Sequence, residues 1–233
     1  MRAQRGRFSM LTIALVGYTN SGKSTLFNAL TEAGVKAKDQ LFSTLDPTVR
    51  KMELSNKQIV LLADTVGFIN DLPHHLVESF KATLEEVVNA DMLFHVIDMS
   101  DPRMELQKMA VSEVLEELGV SKKPTYSILN KCDKVTDEWE RLRIERLFEN
   151  TVVISALKKE GLTELNDLIV RFTQRDMEDI ELTLPHKHYT VARMIREQGS
   201  VMAEEYREDG VYIKARVPAK IKHAIFKKLK GAK

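Results

Sequence analysis

Five short apolar runs rich in β-branched residues recur along the chain, at Leu11–Val16, Ile59–Ala63, Met92–Ile97, Thr125–Leu129 and Val152–Ile154. Between them, apolar positions repeat at helical spacing over Thr25–Thr31, Leu76–Val88, Met104–Leu118 and Leu162–Phe172. Continuous apolar strands alternating with amphipathic helices predict an α/β fold whose mostly parallel sheet is covered on both faces. "VRKMEL" and "SNKQIVLLAD" read as two strands about a turn at Ser55–Lys57, which adds an antiparallel edge strand and makes the sheet mixed and six-stranded.

After Asp176 the pattern changes. "IELTLP" reads as a strand and "KHYTVARMIREQG" as a helix ended by Gly199. "SVMAEEYRE" and "VYIKARVP" read as strands turning at Asp209 and Gly210, with a basic helix from Ala219. The expected organisation is a basic linker remnant at 1–9, an α/β domain at 10–177 and a small α+β domain at 178–233.

Composition adds limits. A hydrophobic fraction of 43% and a charged fraction of 30% are those of an ordinary globular chain. One cysteine, Cys132, leaves no disulfide framework and no multi-cysteine metal site, which fits a reducing, cytoplasmic setting. No apolar run approaches the roughly 20 residues that span a bilayer, and "MRAQRGR" leads into a strand without a small-residue cleavage site.

The net charge of +1 hides an asymmetry: residues 210–233 hold eight Lys or Arg and no acid, leaving 27 basic against 34 acidic side chains before them. A basic tail on an acidic body suits a polyanionic partner, and equally a solvated helix face. In "KIKHAIFKKLKGAK" the apolar residues Ile221, Ile225, Phe226 and Leu229 recur at helical spacing, so packing on the last sheet and contact with phosphates are compatible.

The chemistry is concentrated in four motifs. "GYTNSGKST", residues Gly17, Tyr18, Thr19, Asn20, Ser21, Gly22, Lys23, Ser24 and Thr25, stands between an expected strand and an expected helix. There the glycines let the backbone turn tightly and present N–H groups to phosphate oxygens. Lys23 would reach the β and γ phosphates, and the Ser24 hydroxyl would ligate Mg²⁺.

"DTVG", residues Asp64, Thr65, Val66 and Gly67, ends the next apolar strand. Its carboxylate can hold Mg²⁺ through water, and its glycine N–H can bond the γ-phosphate, making a loop that the phosphate holds and releases. "NKCD", residues Asn130, Lys131, Cys132 and Asp133, supplies an aspartate that accepts from the guanine N1–H and exocyclic amine. Adenine lacks that donor pair, so GTP is expected over ATP, and an ATPase is disfavoured. "SAL", Ser155, Ala156 and Leu157, brings a backbone N–H for the guanine O6. Between the first helix and "DTVG", Thr44 and Thr48 both have the chemistry to join Ser24 on the metal, and spacing does not choose between them. Together the motifs define a P-loop NTPase of the Ras-like G-domain type.

"VGYTNSGKSTLFNAL", "DQLFSTLDPTVR" and "LADTVGFINDLPHHLVESFKATLEEV" closely resemble the HflX family of ribosome-associated GTPases from about Leu11 to Gly161, and the C-terminal segment matches more loosely. The resemblance implies that Thr44, within the segment Phe42, Ser43, Thr44, Leu45 and Asp46, is the magnesium threonine. The metal set is then Ser24, Thr44 and Asp64, with Lys23, Thr44 and Gly67 as the catalytic group. It implies Mg²⁺-dependent hydrolysis of GTP to GDP and phosphate at a low intrinsic rate, stimulated by the large ribosomal subunit through rRNA and protein. For full-length members it implies ribosome splitting and rescue. The expected chain is monomeric and cytoplasmic, peripherally associated with ribosomes or membranes, and binds no DNA. Family members carry a domain before the GTPase domain, for which the residues ahead of Leu11 are too few, so the resemblance implies a chain without it.

Phe68 departs from the common pattern. Many related GTPases place a glutamine after the DxxG glycine to orient the attacking water, and a phenyl ring makes no such hydrogen bond. Either Phe68 is retracted into a core and another group, from a partner or from Asn20 or Ser21, orients the water, or the protein is a GTP-gated binding module with incidental hydrolysis. Arg50 is an unassigned cation beyond the switch segment. His74 and His75, adjacent and without a third ligand at suitable spacing, are read as surface residues rather than metal ligands. Cys132 is read as a small filler whose only activating neighbours in sequence are Lys131 and Lys134.

Overall fold

The computed structural model of the protein describes residues 10–31, 48–68, 84–175 and 177–230. The chain divides into two compact units, one formed by Thr12–Met52 and Leu61–Leu165, the other by Met1–Leu11, Glu53–Val60 and Asn166–Lys233.

In the larger unit the strands β1 (Thr12–Val16), β2 (Thr48–Glu53), β3 (Ile59–Asp64), β4 (Met92–Asp98), β5 (Thr125–Asn130) and β6 (Thr151–Val153) make a six-stranded sheet ordered β2-β3-β1-β4-β5-β6. β1 pairs in parallel with β3 and β4, with Ala14 opposite Ala63 and Leu15 opposite Phe94. β4 and β5 continue the parallel pairing, as do β5 and β6. β2 turns back onto β3 through a tight loop in which Leu54 N–H donates to Gln58 O and Lys57 N–H to Leu54 O, so the expected mixed sheet is what forms.

The pattern explains why β1 is central. All five of its residues are buried, and alternate side chains fall on opposite faces of the sheet. Ala14 and Val16 pack with Ala63, Leu93, Val87, Val111 and Leu115 in one apolar cluster. A fully buried Val, Leu or Phe contributes roughly 1.5–3 kcal/mol, so the sheet centre is the stable frame from which the loops at its strand ends project.

The helices α1 (Lys23–Thr31), α3 (Met104–Glu117) and α5 (Leu162–Gln174) follow the expected spans to within two residues. Of the helix expected over Leu76–Val88, the described part begins at Leu84 and includes α2 (Glu85–Asn89). One helix was not expected: α4 (Glu138–Glu145), capped by Asp137, whose side chain accepts from Trp139 N–H at 3.0 Å. Ile144 is its one buried residue, while Trp139 is 81% exposed, so α4 shows no apolar stripe to read. The signal that was available is the Asp137 cap.

The smaller unit holds β7 (Met177–Leu184), β8 (Ser200–Arg207) and β9 (Gly210–Pro218) in a sheet ordered β7-β9-β8, with α6 (Tyr189–Gln198) and α7 (Ala219–Lys230). Both pairings are antiparallel, and β8 carries an irregularity between Val201 and Ala203. Val211, Ile213, Ala215 and Val217 alternate with exposed Lys214 and Arg216 along β9. They pack with Val191 and Ile195 of α6 and Ile221 and Ile225 of α7. The basic end of the chain is partly neutralised by β7: Lys222 meets Glu178 at 2.6 Å, Arg216 meets Asp179 at 3.4 Å and Lys214 meets Glu181 at 3.7 Å.

Within the same unit the β2–β3 loop is held by buried amides. Gln58 donates to Gln198 O at 2.9 Å and accepts from Thr173 Oγ1 at 2.8 Å, while the Gln198 side chain donates to Ile59 O at 2.8 Å. Each buried amide is thereby paired, as burial requires.

Candidate functional site

β1 stops at Val16, and the chain turns through residues 17–22 into the first turn of α1. Gly17 (φ 149°) and Gly22 (φ 99°) have backbone angles that side chains disfavour. A Cβ at Gly17 would meet Val96 O at 2.3 Å, and one at Gly22 would meet the Asn130 amide nitrogen at 2.2 Å. Only glycine fits this loop against its neighbours.

Lys23 folds back over the loop that precedes it. Its Nζ donates to Gly17 O at 3.0 Å and Tyr18 O at 2.9 Å. Burial pushes its pKa down to about 8, and the nearby Asp64 carboxylate opposes that shift. Ser24, at the start of the same helix, is buried too.

β3 delivers Asp64, fully buried, beside β1, where it stands opposite Leu15 in the ladder. Thr65 anchors the following turn by donating from Oγ1 to Leu15 O at 2.6 Å. Phe68 N–H donates to Gly17 O at 3.1 Å, and Thr19 N–H donates to Phe68 O at 2.8 Å, so the end of "DTVGF" forms a parallel bridge with the P-loop. The Phe68 ring is 3% exposed and belongs to the cluster of Ala14, Val16, Ala63 and Leu93. Phe68 is thus retracted into a core, the side-chain placement that the first of the two sequence readings assumes.

The "NKCD" segment follows β5 and touches the P-loop directly. Asn130 Nδ2 donates to Ser21 O at 2.9 Å, and Asn130 Oδ1 accepts from Ala156 N–H at 3.0 Å. One side chain thus ties the loop after β1 to the loop after β6. Lys131 adopts a left-handed backbone (φ 64°, ψ 35°) and donates from Nζ to Asn20 O at 2.7 Å and to Asp98 Oδ2 at 2.6 Å. Asp133 accepts from Ser155 Oγ at 2.6 Å, and that bond leads the causes holding its carboxyl below the usual range. Cys132 is buried, and burial leads the causes pushing its thiol pKa up, so the reading of an inert filler fits its surroundings.

The structure therefore brings together the P-loop, Asp64–Phe68, Asn130–Asp133 and Ser155–Ala156. Leu157 follows this group, 76% exposed. Phe42, Ser43, Thr44, Leu45 and Asp46 lie outside the described residues, as do His74 and His75. Thr48, the alternative to Thr44, opens β2. Among the described residues no group of three His, Cys, Asp or Glu gathers as a metal cage.

Two residues in this region carried no sequence signal. Asp98 ends β4 and pairs with Lys131. Arg141 reaches from α4 to donate to Cys132 O and Val135 O, both at 2.6 Å, bracing the turn (Cys132–Lys134) that carries Asp133.

Does the loop suit a phosphate chain? Ser21 Oγ is buried without a hydrogen-bond partner, an uncommon cost that an incoming acceptor or donor relieves. A Cβ at Gly67 would come within 3.1 Å of Lys23 Nζ and 2.9 Å of Thr19. The buried ammonium, the glycine-lined approach and the N-terminus of α1 form a cradle for an anion, and the buried Asp64 and Ser24 beside it are oxygen donors of the kind Mg²⁺ takes. The residues fit both groups.

A mostly parallel α/β sheet with a phosphate-type loop after its central strand defines the class, a P-loop GTPase fold. The chain belongs to the family described as 50S ribosome-binding GTPase, which it matches over residues 12–131. It is 43% identical over 221 residues to the GTPase HflX of Lacrimispora saccharolytica, covering 95% of this chain and 52% of that protein. It is 41% identical over 219 residues to the GTPase HflX of Escherichia coli, covering 93% and 51%. The chain thus spans about half the length of the curated relatives it matches. Among solved structures it resembles a GTP-binding protein from Sulfolobus solfataricus in complex with GDP. That likeness has a TM-score of 0.57 and 33% identity, covering 73% of this chain and 55% of that one.

Proposed function

We propose that this chain binds GTP with Mg²⁺ and hydrolyses it to GDP and phosphate, as the GTPase domain (residues 10–177) of an HflX-like protein with a small C-terminal domain (178–233). The observation that carries the reading is the Asn130 side chain, whose bonds to Ser21 O and Ala156 N–H join the phosphate loop to the base-reading loops.

In this reading Gly17–Thr25 wrap the phosphates, and Lys23 exchanges its two carbonyl acceptors for β- and γ-phosphate oxygens. Asn130, Lys131 and Asp133 select guanine, with a backbone N–H of Ser155–Leu157 toward O6. Ser24, Thr44 and Asp64 would hold Mg²⁺, which would offset the negative charge of the phosphates. Gly67 N–H reports the γ-phosphate, whose loss removes that hold on the loop. Phe68, turned inward, orients no water, so intrinsic turnover is slow and the large ribosomal subunit supplies or positions the missing group. The family's description supports that partner.

The alternative, a GTP-gated binding module with incidental hydrolysis, draws on the same buried Phe68. Phosphate release from GTP, measured with and without purified large ribosomal subunits, separates the two. Stimulation of tenfold or more supports the ribosomal GTPase. An unchanged rate, with GTP bound and a partner affinity that differs between GDP and GTP, favours the module. Failure of excess ATP to displace labelled GTP is expected in both cases.

A further inference from the structure

We propose that Asp98 is a positioning residue for nucleotide binding: it fixes Lys131, and through Lys131 it locks the phosphate loop to the base-reading loop. The inference rests on the reading of this region as a guanine-nucleotide site.

The strand register puts the carboxylate in place. Asp98 stands opposite Asn130 in the parallel β4–β5 ladder, and Met99 N–H donates to Asn130 O at 3.0 Å, so the next residue of the partner strand, Lys131, leaves the sheet beside the Asp98 side chain. Lys131 Nζ then has two acceptors, Asp98 Oδ2 at 2.6 Å and Asn20 O at 2.7 Å. The carboxylate is itself held: its Oδ1 accepts from Ser100 N–H at 3.0 Å and Ser100 Oγ at 2.6 Å.

Three physical points make this more than a surface pair. The side chains of Lys131 and Asp98 are 23% and 15% exposed, so the pair is mostly shielded from the solvent that weakens exposed ones. A lysine carries about 2 kcal/mol of rotamer entropy, and a second, charged acceptor lets it be ordered before nucleotide arrives. Lys131 and its backbone acceptor Asn20 both have positive φ, 64° and 60°. These angles are uncommon without glycine and need a tertiary hold. Asp133 lies two residues beyond Lys131, so the path of the base-reading carboxylate depends on that hold.

Asp98→Asn keeps the shape and the Ser100 contacts but removes the charge that pairs Lys131. The test uses the whole chain and fluorescent GDP and GTP, with wild type, Asp98→Asn, Lys131→Met and the double variant. Asp98→Asn is expected to weaken both nucleotides about tenfold, the scale of a lost charge-assisted bond, through faster dissociation. The double variant is expected to bind no more weakly than Lys131→Met alone. The double variant also separates this effect from general damage to the fold, which would add its loss to that of Lys131→Met. Asp98→Asn binding as wild type does, or losses that multiply in the double variant, overturns the proposal. Should Asp98→Asn not fold, Ser100→Ala, which frees the carboxylate but keeps its charge, is expected to give a loss of about threefold, and no loss overturns the proposal. Wild type that binds neither GDP nor GTP refutes the site reading itself.

Discussion

Ser155 and Asp133, which belong to separate loops after β6 and β5, meet at 2.6 Å, with the serine hydroxyl donating to one carboxylate oxygen. The bond keeps Asp133 ionised and in one rotamer, which is the state that accepts two hydrogens from guanine. Asp133→Asn should therefore lose GTP by about a hundredfold or more and gain xanthosine triphosphate, whose C2 carbonyl accepts from the new amide. Ser155→Ala should weaken GTP about tenfold without the gain. Competition of GTP, XTP and ATP against a fluorescent guanine nucleotide distinguishes these outcomes, and an Asp133→Asn variant that still prefers GTP over XTP would remove Asp133 from base reading.

Much of this region could be read from the sequence because its chemistry is local: a glycine loop, a lysine and a serine at fixed spacing, each following an apolar strand. The sheet was legible for a related reason, since strands buried on both faces, such as β1 and β4, are nearly continuous apolar runs. What was hidden arises only from tertiary juxtaposition. Asp98 meets Lys131 because two strands share a register, and Arg141 braces Cys132 and Val135 from a helix with a single buried residue, Ile144. The direction of Phe68 was equally hidden. An aromatic after DxxG is compatible with exposure or burial, and packing against Ala63 and Leu93 decides it.

The buried Lys23 makes nucleotide binding depend on pH. Its pKa in the free protein is about 8 against 10.5 for an ordinary lysine. The unfolded chain therefore binds more protons between pH 8 and 10.5, and stability rises with pH through that window. A bound polyphosphate reverses the preference and holds the proton. Binding of GDP should thus take up about half a proton at pH 8 and close to one at pH 9, with affinity falling up to about tenfold per unit above pH 8. Calorimetry in buffers of different ionisation enthalpy measures the uptake. Zero uptake from pH 7 to 9 would show that Lys23 stays charged in the free protein.

Phe68→Gln tests whether a water-orienting residue can simply be restored. The backbone at position 68 is pinned on both sides, through Phe68 N–H to Gly17 O and Thr19 N–H to Phe68 O, and the side chain points into an apolar cluster. A glutamine there buries an amide and loses ring packing, so unfolding free energy should fall by about 3 kcal/mol while hydrolysis at saturating GTP stays at or below the wild-type rate. Urea unfolding and single-turnover phosphate release are the two measurements. A variant hydrolysing about tenfold faster would mean that residue 68 swings out toward the γ-phosphate.

His95 gives the fold an acid limit. It lies on β4, 4% exposed, and burial, reinforced by the charges of Lys108 and Lys23, lowers its pKa from 6.5 to about 3. The folded protein keeps this imidazole neutral where the unfolded chain protonates it. The contribution is therefore fully present above pH 6.5 and is lost as pH falls from there toward 3. At pH 5 the loss is about 2 kcal/mol, from 1.5 units at about 1.4 kcal/mol each. Carboxylates held below their ordinary range, such as Asp101 and Glu204, act mainly below pH 5, because their unfolded values lie near 4. Urea unfolding of nucleotide-free protein at pH 7.5 and pH 5 should show this decline, and His95→Gln, whatever its own stability, should show less of it. An equal decline in both proteins would place the sensitive group elsewhere.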